Sequence, residues 1–345
     1  MAVPKVFRWD DVGAPVLSNV TDKAQWLALF QAIFVDGYNG NPGLGWTIEF
    51  EDLSTGGTKL VMKQGGSSVD RLWIRWNFYS ISVSYQGPFP ECAEGYTDIN
   101  SPTRLFMTGA SSQIIPFGFT TVVDGTRIST WVIIGTDTSF YIFGGTNEST
   151  VAPTIPPLFS DEVASDRYCS AFFFGNYVPA SGSASDNIRS HYMTMKPSST
   201  YGGWNSRFTM DYTLFGGLSQ GVNVAYTNRD YDDNYYGSNN VSTVIKPLII
   251  TNRGYGYQAS APHYPDPYNS GLYLTNFPIA VNNAYVGKMV GLYFSPQYQV
   301  FYNERAKLGG IKIVEGSNEY QGTTFMCFYG RYGNIFIDIS NDWVV

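Results

Sequence analysis

The densest grouping of side chains that could do chemistry is Asp230-Tyr231-Asp232-Asp233-Asn234. Carboxylates crowded into one loop offer the oxygen ligands that a hard cation such as calcium takes. The run lacks the glycine at the sixth loop position and the glutamate at the twelfth that an EF-hand uses. Asp230, Asp232 and Asp233 therefore read first as a solvated acidic loop. The same acids, or Glu91 with Glu94, could form a glycosidase pair, which needs two carboxyl groups about 5–10 Å apart across a sugar-binding cleft. Tyr231, Tyr235 and Tyr236 lie beside the acidic run, and Tyr255 and Tyr257 lie in a second Tyr-rich loop. Exposed tyrosine among Ser, Gly and Asn gives large contact area at low entropy cost, so these loops are candidate contact surfaces for a glycan or a neighbouring subunit.

Other chemistry is sparse. Gly217-Leu218-Ser219-Gln220-Gly221 matches the G-x-S-x-G letters of a hydrolase elbow, and Asp230–Asp233 with His263 could complete the order. That elbow must run from a strand into a helix, whereas Val222-Asn223-Val224-Ala225-Tyr226 alternates like a strand, so a hairpin turn is the simpler reading. The two histidines are His191 and His263, the latter in a stiff Pro-rich loop. No HExxH, CxxC, Walker or dinucleotide motif is present, so no cofactor, metal or catalytic residue is assigned. The cysteines Cys92, Cys169 and Cys327 are widely spaced and odd in number, which reads as free thiols, with Cys169 and Cys327 in apolar surroundings.

The elements that must carry these residues are mostly strands. Trp26, Leu27, Phe30, Ile33 and Phe34 recur with helical period, predicting one amphipathic helix over about residues 22–36, capped by Thr21 or Asp22 and ended by Gly37. After Gly45 the pattern changes to short alternating runs. Leu72, Ile74, Trp76 and Phe78 make an apolar face, with Arg71, Arg75 and Asn77 among the opposite set. Strand candidates follow at 128–134, 139–143, 169–174, 208–214, 222–227, 242–250, 288–294, 299–302, 310–314, 323–329 and 334–339, separated by turn chemistry such as Asp124-Gly125. The expectation is an all-β protein, sandwich or barrel-like, built of many short antiparallel strands with one N-terminal helix. The Pro-rich stretch holding Pro153, Pro156 and Pro157 suggests a division into an N-terminal β domain, 1–150, and a C-terminal one, 151–345, with long Tyr/Gly/Asn-rich loops.

Composition narrows the function classes. The chain of 345 residues is 17% aromatic but only 14% charged, with formal net charge −7. That balance argues against neutralising nucleic-acid phosphates as the main task. No run of eighteen apolar residues occurs, so no membrane insertion by a helix is expected. The start, MAVPKVFRWDD, lacks an apolar signal region, so synthesis in a cytosol is expected, with retention or assembly into a particle there.

Four landmarks resemble a family of tailed-bacteriophage virion structural proteins. They are Phe7-Arg8-Trp9-Asp10 with Gly13-Ala14-Pro15-Val16-Leu17 ahead of Gly37-Tyr38-Asn39-Gly40; Pro88-Phe89-Pro90 followed by Trp131-Val132-Ile133-Ile134-Gly135 and Ser139-Phe140-Tyr141-Ile142-Phe143; Phe172-Phe173-Phe174-Gly175-Asn176-Tyr177; and the closing Ile337-Asp338-Ile339-Ser340-Asn341-Asp342-Trp343. The chain departs from the family's Gly-Asp at Asn176. The resemblance implies a non-enzymatic virion component of tail, neck or baseplate type, whose partners are copies of itself and other virion proteins. A carbohydrate-binding or depolymerase-like tail component is the alternative.

Overall fold

The structure is a computed structural model. It describes residues 2–18, 22–54, 58–66, 72–78, 88–107, 129–146, 170–176, 178–179, 190–197, 204–210, 222–223, 243–244, 274–281, 284–295, 311–316, 320–330 and 333–343. In chain order, β1 (Lys5–Arg8) and α1 (Lys23–Phe30) lead to β2 (Thr47–Asp52), β3 (Lys59–Lys63), β4 (Trp73–Asn77), β5 (Phe89–Asp98) and β6 (Ser101–Met107). Next come β7 (Ser129–Gly135), β8 (Ser139–Thr146), β9 (Ser170–Gly175), β10 (Val178–Pro179), β11 (Ser190–Pro197), β12 (Trp204–Met210) and β13 (Val222–Asn223). The last are β14 (Thr243–Val244), β15 (Thr275–Val281), β16 (Ala284–Ser295), β17 (Ile311–Glu315), β18 (Thr324–Gly330) and β19 (Gly333–Asp338).

The fold is all-β, as expected: among the described residues there are three antiparallel sheets and one helical segment. A central sheet runs β1-β7-β8-β9-β11-β12-β13, a small sheet β2-β3-β4-β5-β6, and a C-terminal sheet β14-β15-β16-β19-β18-β17 with β10 also pairing β16. The division expected near residue 150 falls between β8 and β9, which are hydrogen-bonded neighbours in the central sheet.

The central sheet explains why its strands read as unbroken apolar runs. Phe7, Trp131, Ile133, Phe140, Ile142, Phe172 and Phe174 join the main core with the helix and the small sheet. The alternate residues Val132, Ile134, Tyr141, Phe143 and Phe173 are fully buried as well. A strand buried on both faces has no position left for a polar side chain except at its ends. On that second face the Tyr141 hydroxyl donates to the Val290 carbonyl at 2.7 Å. The Tyr141 ring also meets Trp343 edge-on, with centroids 5.6 Å apart.

The helix matches its sequence signal. Asp22 caps it by accepting from the Ala24 amide, and Trp26, Leu29, Phe30, Ile33 and Phe34 are buried. Its second half, Gln31–Asp36, widens to a π-helix. The cause is long-range: Leu44 N donates to the Ile33 carbonyl at 2.9 Å, and Gly45 N and Trp46 N to the Phe34 carbonyl at 3.0 Å. With those carbonyls engaged by the incoming chain, the Gly37 amide closes on Ala32 instead, at 2.7 Å.

Three small devices fasten the layers. At the free edge of β1, Asp11 Oδ2 accepts from the Arg8 amide at 2.8 Å and from the Tyr38 hydroxyl at 2.9 Å, covering backbone that would otherwise be open to strand pairing. The first resemblance landmark and Gly37–Gly40 thus meet in one clasp. The turn after β7 docks on the small sheet: Trp46 Nε1 donates to Thr136 O at 3.0 Å, Gly65 N to Asp137 O at 2.9 Å, and the buried Gln64 amide to Thr138 O. A Cβ at Gly65 would overlap the Gly45 carbonyl oxygen. At the chain's end, Asp338 Oδ1 accepts from the Ser340 and Asn341 amides at 2.9 and 3.0 Å. The Trp343 indole folds back to donate to Asp338 O at 2.9 Å. That indole lies against Gly291, whose φ of +62° and missing Cβ make room for it. Each closing landmark residue named here has a fastening role.

Candidate functional site

Asp230, Asp232, Asp233, Tyr231, Tyr235, Tyr236, Tyr255 and Tyr257 all lie outside the described residues, as do Gly217–Gly221, His263 and Cys169. Cys92 and Cys327 are buried and in no disulfide among the described residues, and burial pushes the Cys92 thiol well above its ordinary value. Among the described residues no group of three or more His, Cys, Asp or Glu side chains could hold a metal ion. No helix among them is long and apolar enough to cross a membrane.

Of the acids that sequence reasoning singled out, Glu91 falls within a built cluster, on the outer face of the small sheet. Strand alternation sets up that face. In one cross-strand row Phe50 faces Val61, Val61 faces Arg75, and Arg75 faces Glu91. In the next, Lys63 faces Trp73 and Trp73 faces Ala93. The intervening residues Leu60, Met62, Ile74, Trp76 and Cys92 point the other way, into the main core. Val61, Ala93 and Tyr96 form a second, small apolar cluster, with Phe50, Trp73 and Ile99 packed on it.

Within that cluster Arg75 is only 9% exposed and Asn77 2%. Buried polar groups of this kind need partners, and each has them. Arg75 Nε donates to Glu91 Oε2 at 2.6 Å, its Nη2 pairs with the same oxygen, and Nη1 donates to the Ile99 carbonyl at 2.8 Å. Asn77 Nδ2 donates to Glu91 Oε2 at 2.8 Å. One carboxylate oxygen therefore takes three donors. Register shifts at Cys92/Ala93 and Tyr96/Asp98 twist β5 against β6, and Tyr96 comes to lie 5.4 Å from the Arg75 guanidinium. Burial pushes the Tyr96 phenol far above its ordinary value, against the opposing pull of Arg75.

The aromatic side of the cluster is half-open. Trp73 is intermediate in exposure, stacks on Phe50 at 21° with centroids 6.4 Å apart, and meets Tyr96 at 6.3 Å. Gly95 sits under the indole edge, where an added Cβ would stand 3.8 Å from Trp73 Nε1. The Lys63 ammonium lies 4.8 Å from the Trp73 ring centroid. Sequence reading placed Arg75 and Asn77 on the polar side of β4 but did not single out Trp73 or Lys63. The available signal was the recurrence of Phe50, Trp73 and Tyr96 on the side opposite the core.

No protein-family model, no curated protein and no solved structure matches this chain.

Proposed function

We propose that the chain is a non-enzymatic structural protein of a tailed-phage virion, working in tail, neck or baseplate through contacts with copies of itself and neighbouring virion proteins. The observation that carries this reading is where the buried polar side chains are used. Gln64, Arg75, Asn77 and Ser139 are each hydrogen-bonded to a group on another element, and Thr136 and Asp338 pin the turns that follow β7 and β19. Such connections favour a rigid body over a mobile, reactive cleft. Val12 and Val16, in the segment of the first resemblance landmark, are 77% and 72% exposed, which suits a surface that meets another chain. Synthesis in the host cytoplasm followed by incorporation into the particle completes the proposal.

The test is placement. Electron microscopy of purified particles should find the chain in repeated copies in a symmetric ring. Cleavage of host polysaccharide by the purified chain, abolished by Asp232→Asn with Asp233→Asn, would overturn the non-enzymatic reading.

A further inference from the structure

We propose that the outer face of the small sheet is a binding site for an acidic saccharide, with the Trp73 indole as its platform and the Lys63 ammonium as its anion contact. Three observations converge there. First, the platform is preorganised: Phe50 stacks on the indole, Tyr96 abuts it, and Gly95 leaves space beneath its edge. A ring already held in place loses little freedom on binding. Second, the donors around it are uncommitted among the described residues. Trp73 Nε1 has no hydrogen-bond partner there, and Lys63 forms no ion pair, only its approach of 4.8 Å to the indole. Third, the charge behind the platform is balanced, because the Glu91 carboxylate is already neutralised by Arg75 and bound by Asn77. Lys59, on the same face, is held by the Asn100 side chain, so the cation that stands at the indole is Lys63.

An apolar ring with two fixed donors suits a ligand that offers a C–H face and several acceptors, including a charged one. A pyranose bearing a carboxylate has both: its axial C–H face lies on the indole, its hydroxyl or ring oxygens accept from Nε1, and its carboxylate meets Lys63. This site is independent of whether the chain assembles with copies of itself.

The full chain should be titrated calorimetrically with an oligogalacturonate and with the same oligomer reduced at its carboxyls to the neutral sugar. The acidic oligomer should bind, and the neutral one should bind at least about tenfold more weakly, the loss of one charge-assisted contact. Lys63→Gln should weaken the acidic oligomer by about tenfold while leaving the neutral one unchanged. Trp73→Ala should weaken both. If Trp73→Ala does not fold, the Lys63→Gln comparison alone decides. Absence of binding, equal binding of the two oligomers, or unchanged affinity in Lys63→Gln would each overturn the proposal. The solution mass of the unliganded chain, measured separately, reports on assembly and does not move with these outcomes.

Discussion

The two faces of the small sheet are drawn from the same strands and differ by one residue in phase. On the inner face Leu60, Met62, Ile74, Trp76 and Cys92 meet Phe30, Phe34 and the central sheet in a layer of apolar and aromatic side chains. Close ring contacts there include Phe34 with Phe140 at 4.7 Å and Phe30 with Trp76 at 4.8 Å. On the outer face, Arg75, Asn77 and Glu91 lie under Tyr96, and Trp73 and Lys63 stand at the rim. The inner face contributes stability through area removed from water, about 25 cal/mol per Å². The outer face contributes less burial but fixes polar groups at defined positions. A single strand such as β4 thus serves the core with Ile74 and Trp76 and a surface cluster with Trp73 and Arg75.

The contrast can be broken at several points, in decreasing order of effect. Gly65→Ala should abolish soluble folding, because the added methyl meets backbone oxygen of Gly45, which cannot swing away as a side chain could. Expression and circular dichroism check this. Phe30→Ala on the inner side should cost about 3–5 kcal/mol in denaturant unfolding, as a fully buried ring leaves a cavity among close-packed neighbours. Arg75→Ala on the outer side should cost about 3 kcal/mol by leaving Glu91 without its counter-charge and the Ile99 carbonyl without its donor. Replacing both partners, Arg75→Met with Glu91→Leu, should recover most of that loss, since the desolvated charges vanish together. If the single and double variants were equally unstable, the pair would not be acting as a coupled unit.

The smallest effect concerns pH. Burial, then the hydrogen bond to Asp11, pushes the Tyr38 phenol above its ordinary value of 10.0. Burial does the same for Tyr141 and Tyr293. Each is a neutral acid whose native form holds its proton more tightly than the unfolded form. Its contribution is fully present below about pH 10 and declines as pH climbs above that value toward the native pKa. Unfolding midpoints should therefore fall above about pH 10, and Tyr38→Phe should show a shallower fall while losing about 1 kcal/mol at neutral pH from the missing hydrogen bond.

Much of this arrangement could be read from residue order. The helix, with its Asp22 cap and Gly37 end, followed from local periodicity and capping. The runs Trp131–Ile134 and Phe140–Phe143 marked strands by composition. The residues of β4 alternated clearly enough to separate Ile74 and Trp76 from Arg75 and Asn77. Among the strands that escaped that reading, β5, β6 and β15 share a reason: they carry Pro90, Pro102 and Pro278, and proline weakens any strand signal. The π turn was also illegible, because its cause is competition from Leu44–Trp46, outside the helix. The outer cluster was half legible. Its polar members stood out, but their burial depends on β5 twisting so that Tyr96 and Ile99 reach Arg75, which no local pattern encodes.

The proposal of a body built to assemble is tested most directly by the solution mass of the purified chain. Sedimentation across a wide concentration range should show a discrete multiple of the 38.3 kDa chain. A single-chain mass at every concentration, together with absence of the protein from purified particles, would contradict the account.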